Sequence, residues 1–298
     1  MGPLKEKPRL LSKATDNFIS NVKKVERTVW RFVREFVDGL NRTNGMVDND
    51  SFNESRLLSI DVDLIGAYAE GLSAYLPEYL ANFDDVERLN KLLYEGFLSP
   101  EEAARASRLV FPVERTILVD GITQRLTSRG VIRARFVQPI REILYNGIVF
   151  SQPINVLQDN LRREITSSQG SSDLLKYTRQ ISQDAISQFD GAINDRIRDH
   201  LGLDGFYYVG SLIEGSRDNC RELVNGTGRF ADFAIEPGLY RVSDLKAIIN
   251  LAKGRSGWNP ATTPQTFAQY RGGYGCRHEV IYVNLTDEQS LRTLKKQL

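Results

Sequence analysis

Apolar residues recur every three or four positions between residues 15 and 40, at Phe18, Val22, Val25, Val29, Phe32, Phe36 and Leu40. That period predicts a long helix with one buried face. Lys23, Lys24, Arg27, Arg31 and Arg34 fall on the opposite side, which reads as a solvated face. The polar stretch 41–55, with its Asn44-Gly45 pair, predicts a connector. A second helical period over 60–83 runs through Leu64, Tyr68, Leu72, Tyr75, Leu76, Tyr79 and Leu80. Pro77 inside it predicts a kink or a division, because proline has no N–H to donate and its ring clashes with the preceding turn. Ser99-Pro100-Glu101-Glu102 reads as a helix start, with an N-cap serine, a proline at the first helical position and a glutamate closing a capping box. Helices are expected over 113–149, with Pro139 and Pro153 as boundaries. The segment SSQGSSD, 167–173, reads as a turn before a helix over 174–201 that directs Tyr177, Ile181, Ile186, Phe189, Ile193 and Ile197 inward.

After Gly205 the pattern changes. FYYVGSLI (206–213) and VIYVNL (280–285) are β-branched and aromatic runs with no counterpart in the preceding residues, and they are expected to pair as strands. Between them the pattern predicts a helix around Cys220, a helix over 242–252 with Ser243 as N-cap, and a Gly/Pro-rich loop over 254–275 onto which Trp258 folds. The fold class is therefore α+β: a mostly helical N-terminal region, then a small α+β lobe with a short sheet from about residue 205.

Composition changes this picture little. Hydrophobic residues make up 41% and charged residues 26% of the 298, enough apolar surface to bury a core and too much for disorder. With 39 basic and 38 acidic residues the net charge is +1, so the strong positive field of a dedicated duplex binder is missing. A local phosphate-binding patch from Lys253, Arg255, Arg271 and Arg277 stays open. No apolar run approaches the ~20 residues that span a bilayer, and no membrane partner is expected. The first residues have no apolar signal centre, so a reducing compartment is expected, where a Cys220–Cys276 disulfide is disfavoured.

The candidate chemistry lies in two segments, GSLIEGSRDNCRELVNG and GGYGCRHEVIYV. His200, Cys220, Cys276 and His278 are every Cys and His in the chain and would make a Cys2His2 set for Zn²⁺. The spacing argues against it: one residue separates Cys276 from His278, Cys220 stands alone, and there is no C-x2-C pair. Structural thiols, with no cofactor, are the expectation, and zinc is the alternative. Cys276 and His278 lie on alternate residues and so on one side of an extended segment, facing the Cys220 helix together with Val280, Tyr282 and Asn284. Arg277, Glu279, Ile281 and Val283 take the other side, and His278 is expected to bond a backbone carbonyl or a carboxylate. Arg217 would tie the two segments through its forked donors, with Glu279 as one acceptor. Gly272, Gly273 and Gly275 would let the chain enter the strand. No nucleophile elbow or phosphate loop accompanies the cysteines, so no enzymatic activity is expected.

These residues carry a resemblance. The boxes S-R-x-x-C (Ser216, Arg217, Cys220) and G-G-x-x-C-R-H (Gly272, Gly273, Cys276, Arg277, His278) resemble the Mu F-like domain of bacteriophage minor head proteins, also called head morphogenesis proteins. The likeness spans residues 140–285, with Asn219 standing where a bulky residue often precedes the cysteine. It implies a helical docking and assembly region over 1–139, the Mu F-like domain over 140–285 and a tail over 286–298. It also implies a minor structural protein assembled in the host cytoplasm, located in the virion head or at the portal vertex, and ejected with the DNA in some cases. Its implied partners are the portal, the major capsid protein and packaged DNA. The alternative is a DNA-associated or ejected effector with nucleic-acid binding or a cryptic hydrolytic activity.

Overall fold

The computed structural model describes residues 3–166, 172–273 and 276–298. The fold is α+β, and its residues divide into two compact units that are not contiguous in sequence. One unit is helical (Ala14–Leu80 and Asp120–Ser182); the other takes residues 3–13, Ala81–Val119 and Gln183–Leu298 and contains the main sheet. The division does not follow a boundary at residue 139.

Helix α1 (Pro3–Asp38) begins well before residue 15. Within the helical unit its apolar face is buried, with Val22, Val29 and Val33 fully enclosed and the Phe18 ring 4.9 Å from that of Tyr79. Phe32 stays half-buried. A face already covered by its own chain is not free for a partner. The expected connector holds a hairpin, β1 (Arg42–Thr43) and β2 (Met46–Val47), whose turn residues Asn44 and Gly45 have φ of 52° and 79°. Two successive left-handed residues make the turn whose twist matches a hairpin, which is why Asn-Gly occupies it. The buried Asn53 side chain donates to the Asn41 and Asp48 carbonyls and fastens the hairpin to α2 (Ser51–Glu95).

Pro77 does not divide α2. Its side is exposed, while Leu64, Tyr68, Leu72, Leu76, Tyr79 and Phe83 bury the opposite face. Each buried side chain of that size contributes about 1.5–3 kcal/mol, which outweighs the ~3 kcal/mol cost of an interior proline. Next come α3 (Pro100–Ser107), with the expected Ser99 capping box, α4 (Pro112–Thr127) and α5 (Arg129–Ile132). A π-helical turn (Arg133–Val137) then widens the backbone just ahead of α6 (Gln138–Val149), which opens on Pro139. Helix α7 (Ile154–Ile165) was not expected from the sequence; Leu157 packs directly over Gly147 of α6, where a Cβ would lie 2.7 Å from it. Of the predicted turn 167–173, residues 167–171 lie outside the described residues, and α8 (Asp173–Leu201) follows.

The main sheet is antiparallel, in the order β4–β5–β3–β6, with β3 at Gly205–Val209, β4 at Ala234–Glu236, β5 at Leu239–Arg241 and β6 at Glu279–Val283. The expected pairing is present, with Phe206 opposite Tyr282 and Tyr208 opposite Val280. Strand β3 stops at Val209 because Gly210 turns to a φ of 144°. All five residues of β6 are buried, so this strand is covered on both sides and no inside-outside alternation shows in it. Around the sheet lie α9 (Asp218–Asn225), α10 (Leu245–Ala252), α11 (Phe267–Tyr270) and α12 (Glu288–Lys295). Ser243 is not the N-cap of α10: a 3-10 turn precedes the helix, and Asp244 holds that position without a side-chain cap. Residues 286–298 are no loose tail, since Asp287 caps α12 through the Gln289 and Ser290 amides and Leu294 is fully buried.

A charged cluster lies in the core of this unit. The Lys7 ammonium is 2.9 Å from Asp190, 2.8 Å from Glu279 and 3.1 Å from the Asn90 amide oxygen, and Arg271 bonds the other Asp190 oxygen at 3.1 Å. Burial acts against the Lys7 charge, but the two carboxylates outweigh it and the net shift of Lys7 is upward. Asp190 is likewise disfavoured by burial yet held below the usual carboxylate range by Lys7 and Arg271, whereas burial wins at Glu279 and pushes it up. Removing one member strands a buried charge, so Lys7→Met should cost about 3–5 kcal/mol in urea unfolding. Adding Glu279→Gln to that variant should recover part of the loss, because the orphaned carboxylate is gone. A loss below about 1 kcal/mol for Lys7→Met would mean that the cluster is solvated.

Candidate functional site

The site is built where β3, α9 and the segment entering β6 meet. Helix α9 starts at Asp218, whose charge favours the first turn, and ends at Gly226 in the left-handed conformation (φ 64°), so Cys220 is held in its first turn facing inward. Cys276 and His278 precede β6, both buried, with the exposed Arg277 between them. Tyr208 of β3, fully buried, reaches between the two thiols. Its hydroxyl lies 3.4 Å from Cys220 Sγ and 3.6 Å from Cys276 Sγ. Cys276 Sγ lies 3.5 Å from His278 Nδ1, and the Tyr208 and His278 rings stack at 5.4 Å. Both cysteines are free thiols.

Gly272 is required by this packing. A Cβ there would lie 2.6 Å from Cys220 Sγ, 2.7 Å from Cys276 Sγ and 2.7 Å from the Tyr208 hydroxyl, so only a hydrogen fits over the cluster. Gly273 adopts a φ of 92°, and a Cβ on it would strike the Gly257 carbonyl at 1.8 Å. Gly275 lies outside the described residues. Arg217 Nη1 donates to the Gly272 carbonyl at 2.8 Å, which ties the two boxes together as expected, but its acceptor there is backbone and not Glu279. Glu279 is committed to Lys7. Ser216 turns the chain into α9 by accepting from the Ile213 amide at 2.9 Å.

The two thiols differ. Cys276 is pushed well below the ordinary thiol range, first by its hydrogen bond with Cys220 and then, against burial, by His278 and Arg271. Cys220 is driven upward by that same hydrogen bond and by burial. Burial also raises the Tyr208 phenol far above its usual range, so it stays protonated. A thiolate beside an imidazole is a nucleophile in principle, but the cavity beside Cys276 measures about 10 Å³, room for one water and no substrate.

Several expectations need correction. His200 is exposed at the end of α8 and is not in the cluster; the three residues whose ligand atoms all lie within 4.8 Å of one another are Cys220, Cys276 and His278. Among the described residues His278 bonds neither a carbonyl nor a carboxylate: its Nδ1 faces the Cys276 sulfur, and its buried Nε2 has no hydrogen-bond partner there. Arg271 is buried against Asp190, so it cannot contact phosphate, while Lys253, Arg255 and Arg277 are exposed. Tyr208, Lys7 and Asp190 were not anticipated. Tyr208 reads in sequence as an ordinary strand aromatic, and nothing local signals where its hydroxyl points.

Comparison with protein-family models, with curated proteins and with solved structures finds no match for this chain.

Arg217→Ala should lower the stability of the α+β unit by about 1–3 kcal/mol in urea unfolding followed by tryptophan fluorescence, because the buried Gly272 carbonyl loses a charged donor. Arg217→Lys should recover only part, since a point charge does not reproduce the fork. Wild-type midpoints for Arg217→Ala would show that this tie does not hold the boxes together.

Proposed function

We propose that the chain is a non-enzymatic structural protein of a bacteriophage head, of the Mu F-like minor head type, acting in head morphogenesis at the portal vertex or capsid interior. The reading rests on the resemblance of the two boxes, and one observation supports it. Cys220 and Gly272 are far apart in sequence, yet the boxes meet around one buried centre, with Arg217 bonded to Gly272. A chance pair of motifs has no reason to converge. Burial of both thiols and the water-sized cavity beside Cys276 favour a scaffolding role over hydrolysis. The alternative as a DNA-binding effector is weakened by the loss of Arg271 to the core.

Docking to portal or capsid then needs a surface other than the covered face of α1. Val113 and Ile117, one turn apart on α4, are 64% and 65% exposed and form the kind of apolar stripe that seats in a partner's groove. Particles produced by the phage or prophage that encodes the chain should contain it at low copy, and deleting the gene should reduce the yield of DNA-filled heads. The double variant Val113→Lys/Ile117→Lys should fold normally and be incorporated at least about tenfold less, a loss equivalent to ~1.4 kcal/mol of docking energy. Particles that lack the chain, with full yield after deletion, would sink the reading. Normal incorporation of the α4 variant would move docking to another surface.

A further inference from the structure

We propose that Cys220, Cys276 and His278 form a structural Zn²⁺ site whose fourth ligand is the hydroxyl oxygen of Tyr208. Tetrahedral zinc binds sulfur at ~2.3 Å and nitrogen or oxygen at ~2.0–2.1 Å, so its ligand atoms lie about 3.6 Å apart for sulfur to nitrogen or oxygen. The corresponding separations here are 3.4 Å and 3.6 Å from the Tyr208 oxygen to the two sulfurs, and 3.5 Å from Cys276 Sγ to His278 Nδ1. The remaining separations among the two thiols and the imidazole stay within 4.8 Å. Four donors from three separate elements thus stand with these three separations already matching those of a coordination tetrahedron.

Two further observations point the same way. All four side chains are at least nine-tenths buried, which makes a closed site of the structural kind, with no open position for substrate. Gly272 covers the face made by the two sulfurs and the Tyr208 oxygen, where any Cβ would press on all three atoms. A plain pair of core thiols would not need a bare backbone above it. The fourth ligand that His200 was expected to provide comes from β3 instead. The two thiols bind as thiolates, and each proton that the metal displaces from sulfur leaves to solvent.

The test uses the full chain and does not depend on a virion. Protein purified under reducing conditions should carry about one zinc per chain, and a chelator should remove the metal and lower the unfolding temperature together. Metal-free wild type titrated with Co²⁺ should show tetrahedral visible bands and thiolate charge transfer. Cys220→Ser should reduce bound zinc at least about tenfold, the loss expected when a metal ligand goes. His200→Ala should leave zinc content unchanged, and Tyr208→Phe should keep the metal at lower affinity with an altered Co²⁺ spectrum as water enters. Should Cys220→Ser fail to fold, the Co²⁺ spectrum of wild type still decides. Reduced wild type that holds no zinc and takes up no Co²⁺ would overturn the proposal. So would a Cys220–Cys276 disulfide in freshly isolated protein, or loss of zinc in His200→Ala.

Discussion

The α+β unit depends on the requirement that buried charges balance. Lys7, Asp190, Glu279 and Arg271 sit in the core within ion-pair distance of one another, two positive and two negative. No member can leave without stranding its partners in a medium that solvates charge poorly. Because the four come from α1, α8, β6 and the end of α11, their neutrality fixes where these elements meet. Glu279 follows His278 directly, and Arg271 precedes Gly272. The same balance therefore places both ends of the segment that carries Cys276.

The second constraint is close backbone approach. A Cβ on Gly191 would lie 2.1 Å from the Ala268 carbonyl oxygen, so α8 and α11 touch through their main chains. Asp195, one turn further along α8, accepts the Ala268 and Gln269 amides at 3.2 Å and 3.0 Å and holds α11 from the other side. Gly272 and Gly273 extend this contact to the thiols and to the Gly257 carbonyl. Charge sets the position of the segment, and the glycines let it come close enough for two sulfurs, an imidazole and a phenol to share one small volume.

That volume also limits what can reach the reactive residue types gathered here. The Cys276 sulfur lies beside an imidazole, yet it is buried and the cavity it lines is water-sized. A nucleophile needs an approach path, whereas a scaffold needs the opposite: donors that are dry, close and fixed. The cluster ties α9 and the segment entering β6 to β3, which itself pairs with β6.

Much of this was legible from local pattern. The helical face from Phe18 to Phe36, the capping box at Ser99, the Asn44-Gly45 turn and the pairing of FYYV with VIYV each follow from periodicity or turn chemistry, which act over a few residues. The joining of the SRDNC and GGYGCRH boxes through Arg217 was legible too, as a pairing of motifs. Other features lay beyond local pattern because they depend on distant partners. Pro77 stays inside α2 because burial along six other positions outweighs its cost. Arg271 reads in sequence as a surface cation, yet Asp190 holds it in the core, and nothing local marks Lys7 as a residue that will be enclosed. His200 lies outside the thiol cluster and Tyr208 inside it for the same reason. Sequence determined which residues carry chemistry and which segments form helix or strand, since those depend on neighbours along the chain. Only tertiary structure decided which donors share a site, because burial, charge balance and the closeness of two backbones are properties of residues brought together from far apart.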